Sequence, residues 1–199
     1  RALREIVDVL RAAKPTAVMV GRMSAAERYK GHREVIEAWP NVVARVPEAQ
    51  LRIVGGGDDA AAITLEIKRR ALDGSIEMLG RIDDAALART LASAHVFVMP
   101  SRVEGFGLVY AEAARSGLPS IAHVPGPASE IIDDGRTGWL VDGRDRDAIA
   151  RALIAALSDL PTTIEMGLRA RAHVETTFTQ AAFARSLRDV CEAAIQGSA

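Results

Sequence analysis

The 199-residue chain sets 25 Lys and Arg against 26 Asp and Glu, for a net charge of −1, and 49% of its residues are hydrophobic. That length fits one large domain or two small ones with a real core, and the near-zero charge excludes general nucleic-acid or membrane-surface binding. The single cysteine, Cys191, cannot form an internal disulfide and points to a reducing, cytoplasmic compartment; no apolar run approaches a membrane span, and no signal peptide is evident.

The first residue is Arg1 rather than Met, inside a helical pattern over 1–14, so the chain reads as a fragment. An apolar run at 17–20 predicts the first strand. A helix follows near 31–45, and Pro40 inside it predicts a break near Trp39, since an interior proline costs roughly 3 kcal/mol. Strands at 51–54, 76–79, 95–99, 118–122 and 139–141 then alternate with helices near 58–72, 84–93, 108–116, 127–133 and 146–158. Nearly continuous apolar strands separated by helices imply an α/β fold, a Rossmann-like parallel sheet covered on both faces. Two further helices, near 162–175 and 179–196, close the chain. No repeat, low-complexity segment or internal linker stands out, so 1–199 reads as a single domain.

The segment Glu104-Gly105-Phe106-Gly107-Leu108-Val109-Tyr110-Ala111-Glu112 is the most informative one. A strand ends at Pro100-Ser101, a glycine loop follows, and a helix starts inside the motif. Such strand-to-helix turns offer free backbone N–H groups and a positive helix end to anions. A tight turn without any ligand is the plain alternative. Glu112, read as near the first helical turn, is also explained by the helix dipole; Glu104, ahead of the helix, is not. Carboxylates do not bind phosphate, so the pair suits hydroxyl groups on either side of a diphosphate.

A basic stretch, Gly21-Arg22 … Arg28-Tyr29-Lys30-Gly31-His32, follows the first strand. Arg22 can fork onto phosphate oxygens and Lys30 can add a point charge; a solvated charged loop is the alternative. A rival site is Gly55-Gly56-Gly57-Asp58-Asp59-Ala60, which fits a dinucleotide fingerprint with Glu77 about 20 residues on. Against it, two aspartates stand where pyrophosphate would sit, and the motif follows the second strand. Asp58 and Asp59 read better as a helix N-cap and a first-turn acid. His32, His95, His123 and His173 lack metal-ligand spacing. Cys191 lacks a basic partner, and no serine elbow is present.

These residues resemble the C-terminal, donor-binding half of retaining glycosyltransferases of the GT-B architecture, family 4. The carriers are Val20-Gly21-Arg22 with Lys30-Gly31-His32, Leu51-Arg52-Ile53-Val54-Gly55-Gly56-Gly57, Leu79-Gly80-Arg81, and Met99-Pro100-Ser101 leading into Glu104-x7-Glu112. Ala113, Gly117, Leu118-Pro119, Glu130 and Thr137-Gly138 extend the match, which covers residues 16–160. The resemblance implies a catalytic set of Glu104, Arg22 and Lys30, with Arg22 and Lys30 on the diphosphate and Glu104 on the donor sugar. It implies donor binding by Glu112 at the ribose, by Gly105, Phe106, Gly107, Leu108 and Val109 at sugar and phosphate, and by Gly80, Arg81, Ile82 and Gly55 around the base.

The resemblance also implies a nucleotide diphosphate sugar as donor, transfer with retention, and no metal or other cofactor. A glycan or lipid acceptor, and any peripheral membrane contact, would come through an N-terminal domain absent from this chain, leaving it inactive alone. One departure is the longer Arg-to-Lys spacing, which leaves Arg28 a rival to Lys30 for the phosphate. A non-catalytic nucleotide-sugar binding module, a dinucleotide oxidoreductase domain, and an epimerase or phosphorylase of the same architecture are the other readings.

Overall fold

The computed structural model describes residues 14–178 together with Ala184 and Arg188. Short apolar runs, each stopped by glycine, proline or polar residues, form β1 (Thr16–Val20), β2 (Gln50–Val54), β3 (Ile76–Gly80), β4 (Val96–Met99), β5 (Ser120–His123) and β6 (Gly138–Val141). They make a six-stranded sheet in the order β3-β2-β1-β4-β5-β6, parallel throughout. Parallel neighbours need long crossovers, and helices supply them. These are α1 (His32–Arg45), α2 (Ala60–Arg69), α3 (Asp84–Ser93), α4 (Leu108–Arg115), α5 (Arg146–Ser158) and α6 (Leu160–Thr177).

The sheet is sandwiched, so its central strands bury both faces: Ala17, Val18 and Met19 of β1 and Val96, Phe97 and Val98 of β4 are fully buried. Outside the sheet, α1 packs on α5 and α4 on α6. The strand order runs outward from β1 to β3, then returns to β4 beside β1, with Ala17 opposite Val96. At that reversal the crossovers leave on opposite faces, and a crevice opens at the carboxyl ends of β1 and β4. The fold therefore brings together the loop after β1 and the loop after β4.

Three local expectations are corrected. Helix α1 runs unbroken through Pro40. Its packing outweighs the proline: Val35, Ile36, Trp39 and Val42 form one buried stripe, and the Trp39 indole N–H donates to Ser75 Oγ at 3.1 Å. The helix expected over 127–133 is only a 3-10 turn, Pro127–Glu130. The stretch after β1, read as a charged loop, contains a second 3-10 turn, Ala25–Lys30. The helices expected over 1–14 and 179–196 lie outside the described residues.

Candidate functional site

The crevice is built by two loops that are tied to one another. The first leaves β1 at Gly21 and passes through the 3-10 turn, whose start is held by Ser24 and by Asp58, which accepts the Ala25 N–H at 3.0 Å. The second leaves β4 at Pro100 and carries Glu104 into α4. Arg102 in that second loop donates its backbone N–H to the Tyr29 carbonyl at 2.9 Å and its guanidinium to Glu34 at 2.5 Å.

The result is a close pair of opposite charges. Lys30 Nζ lies 3.4 Å from Glu104 Oε1, and the two side chains are 15% and 16% exposed. They line a cleft of about 300 Å³ with Val20, Met99, Phe106, Gly107, Leu108 and Val109. Tyr110 braces this wall: its hydroxyl donates to the Met99 carbonyl at 2.7 Å and its ring meets Phe97 edge-on. Burial, and then the charge of Glu104, raise the Tyr110 hydroxyl above its ordinary pKa. Gly107 begins α4 in the left-handed region, at φ +81, and a Cβ there would meet the Tyr110 ring at 2.7 Å. No other residue fits that turn without strain.

The helix starts differ around the molecule in a way that bears on the site. Asp83, Asp145 and Asp159 cap α3, α5 and α6 through their side chains. Helices α1 and α4, which start at the crevice, begin at Gly31 and Gly107 with no side-chain cap. Helix α2 also lacks a side-chain cap, and the Tyr110 N–H is taken by the Gly107 carbonyl at 2.9 Å; at the crevice the N–H groups of His32, Arg33, Leu108 and Val109 are the ones a side-chain cap does not reach.

The other expected residues are placed as follows. Arg22 is 76% exposed and donates to Glu27 at 2.6 Å, outside the cleft wall. Arg28 is turned away from the cleft and holds Asp59 through two bonds of 3.0 and 3.2 Å. Lys30, not Arg28, is thus the cation beside Glu104. Gly105 sits exposed on the loop. Glu112 is exposed on the second turn of α4, beyond the reach of the dipole argument. Its carboxylate has no hydrogen bond or ion pair among the described residues. Gly80 ends β3, its carbonyl accepting the Gly55 N–H at 2.8 Å, and Arg81 and Ile82 follow. Arg22, Gly105, Glu112, Gly55, Gly80, Arg81 and Ile82 are therefore not part of the wall that Lys30 and Glu104 share.

The rival glycine loop has a structural explanation. A Cβ on Gly55 would lie 1.9 Å from the Gly21 carbonyl oxygen, and one on Gly57 would lie 2.1 Å from that of Met23. The close approach these glycines permit is by the chain's own β1 loop. Neither aspartate caps α2 with its side chain, contrary to expectation: Asp58 accepts the Ala25 N–H of the β1 loop, and Asp59, at the N-cap position, binds Arg28 and Arg33. Burial pushes its carboxyl up, but the hydrogen bonds from Arg28 and Arg33 outweigh that and leave it below the usual range. Among the described residues no cluster of three His, Cys, Asp or Glu side chains is arranged to hold a metal ion.

Residues 14–159 match the family described as Glycosyl transferases group 1. The chain belongs to that family. It is 39% identical over 159 residues to a GDP-mannose-dependent monoacylated α-(1-6)-phosphatidylinositol monomannoside mannosyltransferase of Corynebacterium glutamicum, covering 75% of this chain and 40% of that protein. Sucrose-phosphate synthase of Thermosynechococcus elongatus superposes with a TM-score of 0.79 at 29% identity, over 99% of this chain and 49% of that one. The C-terminal domain of a glycosyl transferase group 1 family protein from Francisella tularensis superposes with a TM-score of 0.76 at 26% identity, over 89% of this chain and 92% of that domain. The chain spans less than half the length of the curated relatives it matches. Family and fold together give this chain the Rossmann-like parallel-sheet architecture of GT-B glycosyltransferases and favour it over a dinucleotide oxidoreductase domain.

Within this glycosyl transferase fold, sequence reasoning undervalued Glu27, Tyr110 and above all His32. His32 is the first residue of α1 and is buried. Burial, with help from Lys30, lowers its pKa from 6.5 to about 4, while Glu34 and Asp59 act in the opposite direction. Unfolded, the imidazole takes up a proton near pH 6.5; folded, it does so only near 4. Below pH 6.5 the unfolded chain therefore binds more protons, and stability falls with pH until about 4. Between pH 7 and 5 this group should remove roughly 2 kcal/mol of stability. Urea denaturation at the two pH values checks this, and His32→Leu should flatten the difference by that amount.

Proposed function

We propose that this chain is the donor-binding half of a retaining glycosyltransferase that moves a sugar from a nucleotide diphosphate sugar to an acceptor held by a second domain. The observation that carries the reading is the Lys30–Glu104 pair in a cleft at the β1/β4 reversal, beside two uncapped helix starts. A cation and N–H dipoles suit a diphosphate; a carboxylate beside them suits a sugar hydroxyl. In this reading Lys30 and Arg22 hold the phosphates, with Arg22 leaving Glu27 to do so. Glu104 contacts the transferred sugar, and the free carboxylate of Glu112 takes the ribose. Backbone groups of Gly105, Phe106, Gly107, Leu108 and Val109 contact sugar and phosphate. Gly80, Arg81 and Ile82 flank the base, with the Gly55 turn behind them. Charge developing on the leaving diphosphate is met by fixed cations and dipoles, which act strongly in a water-poor cleft, so no metal is required.

The relatives' names supply the first ligand to try. The Corynebacterium glutamicum protein is named for GDP-mannose and a phosphatidylinositol mannoside, so a guanosine diphosphate sugar is the leading donor and a glycolipid the leading acceptor class. Calorimetric titration with GDP-mannose, UDP-glucose, ADP-glucose and NAD tests the donor reading. Saturable heat with one nucleotide sugar is expected. Binding of NAD alone would overturn it.

A further inference from the structure

We infer that His32 is a further donor-binding residue, its Nε2–H donating to a phosphate oxygen of the bound nucleoside diphosphate. This rests on the donor reading above and adds a residue to it. His32 is 4% exposed, yet its Nε2 has no hydrogen-bond partner. Buried ring nitrogens in native proteins are almost always paired. The two other buried histidines obey this rule: His95 Nδ1 accepts the Thr16 N–H at 3.1 Å, and His123 Nδ1 accepts the Gly143 N–H at 2.9 Å. The fold thus pairs Nδ1 of two buried histidines and leaves the buried Nε2 of the third without a partner.

The unpaired nitrogen lies at the carboxyl end of β1, behind Lys30, which lines the cleft. A Cβ on Gly21 would come 3.7 Å from His32 Nε2 and 3.6 Å from both His32 Cε1 and Lys30 Cδ. The imidazole edge, the bare Cα of Gly21 and the stem of Lys30 therefore meet at one point, at the carboxyl end of β1. The nitrogen is shielded from solvent as the loop stands; with glycine rather than a side chain at position 21, a group settling over the loop reaches it once the Lys30 stem moves aside. The neutral state of the ring fits the role. A neutral donor adds a hydrogen bond to the phosphate without setting a second cation beside Lys30.

Three measurements on the chain and its His32→Leu and His32→Gln variants, and a fourth on the parent alone, test this. The three are thermal melting at pH 7, calorimetric titration with GDP and UDP, and titration with guanosine and uridine. His32→Leu should melt no lower than the parent, because an unpaired polar atom has gone. It should bind the nucleoside diphosphate about tenfold more weakly, as expected for one lost hydrogen bond, and bind the nucleoside unchanged. His32→Gln, which keeps an N–H donor, should recover part of the loss. In the parent, the His32 imidazole nitrogen resonances should shift when the diphosphate is added, a readout that does not depend on either variant folding. A lower melting point with unchanged diphosphate affinity, or equal losses for nucleoside and diphosphate, would make His32 a packing residue and overturn the inference. If the parent binds neither diphosphate, the donor reading itself falls and takes this with it. If the parent binds and His32→Leu binds equally, only the role of His32 falls.

Discussion

Gly55→Ala will cost the fold roughly 3–5 kcal/mol, whereas Gly105→Ala will leave stability within about 0.5 kcal/mol. The two glycines are both in short loops at the sheet's carboxyl edge, but they are glycines for different reasons. At Gly55 the backbone has φ +136, and the new methyl would lie 1.9 Å from the Gly21 oxygen and 2.9 Å from its carbonyl carbon. Backbone, unlike a flexible side chain, cannot swing aside. Either β2 and the β1 loop separate, losing the Gly21 N–H bond to the Val54 carbonyl (3.0 Å), or the strain remains. At Gly105 a Cβ meets no atom of the described residues within 4 Å. Nothing internal demands glycine there, so its demand comes from what lies outside. Gly105→Ala should weaken nucleotide-sugar binding while its urea midpoint stays put. A Gly55→Ala midpoint equal to the parent's would mean that the packing of the β1 loop on Gly55 is slack and does not account for the glycine.

The same contrast explains what could be read from sequence. The strands were legible because a parallel sheet buried on both faces needs unbroken apolar runs, and residues 51–54 or 96–99 offer no other use. The Glu104 loop was legible because strand, glycine turn and helix follow one another locally. What escaped depended on partners distant in sequence. Whether Arg28 or Lys30 faced the cleft was decided by Asp59, on another element, which claims Arg28. Pro40 read as a breaker because propensity is local, while the buried stripe around Trp39 that overrides it is tertiary. The glycines at 55 and 57 match a ligand-binding fingerprint, yet the atoms they approach belong to residues 21 and 23. His32 was legible only as the end of the Lys30-Gly31-His32 motif; its buried, unpaired Nε2 beside Gly21 depends on tertiary packing and gave no signal. Glu112 was recognised by its distance from Glu104, not by any feature of its own surroundings.

Lys30→Ala should weaken GDP or UDP binding about 10- to 100-fold, the range for losing a charge-assisted bond to phosphate. Arg28→Ala should change it little. Glu104→Gln is the sharper experiment, because the geometry predicts effects of opposite sign. In the ligand-free cleft the Glu104 carboxylate occupies the ammonium that a phosphate would take, at 3.4 Å, and both groups are largely shielded from solvent. A diphosphate entering must displace that carboxylate and then sit near its charge. Glu104→Gln removes both the competition and the repulsion, so the free nucleoside diphosphate should bind more tightly. The nucleotide sugar gains the same relief but loses a strong acceptor for its hydroxyl group. The preference for nucleotide sugar over nucleoside diphosphate should therefore fall about tenfold or more, measured by titrating both ligands into parent and variant. Tighter binding of the diphosphate with an unchanged preference would confine Glu104 to its pairing with Lys30. Weaker binding of both by the same factor would make the pair a structural strut, and would leave the transferred sugar without a carboxylate partner on this side of the cleft.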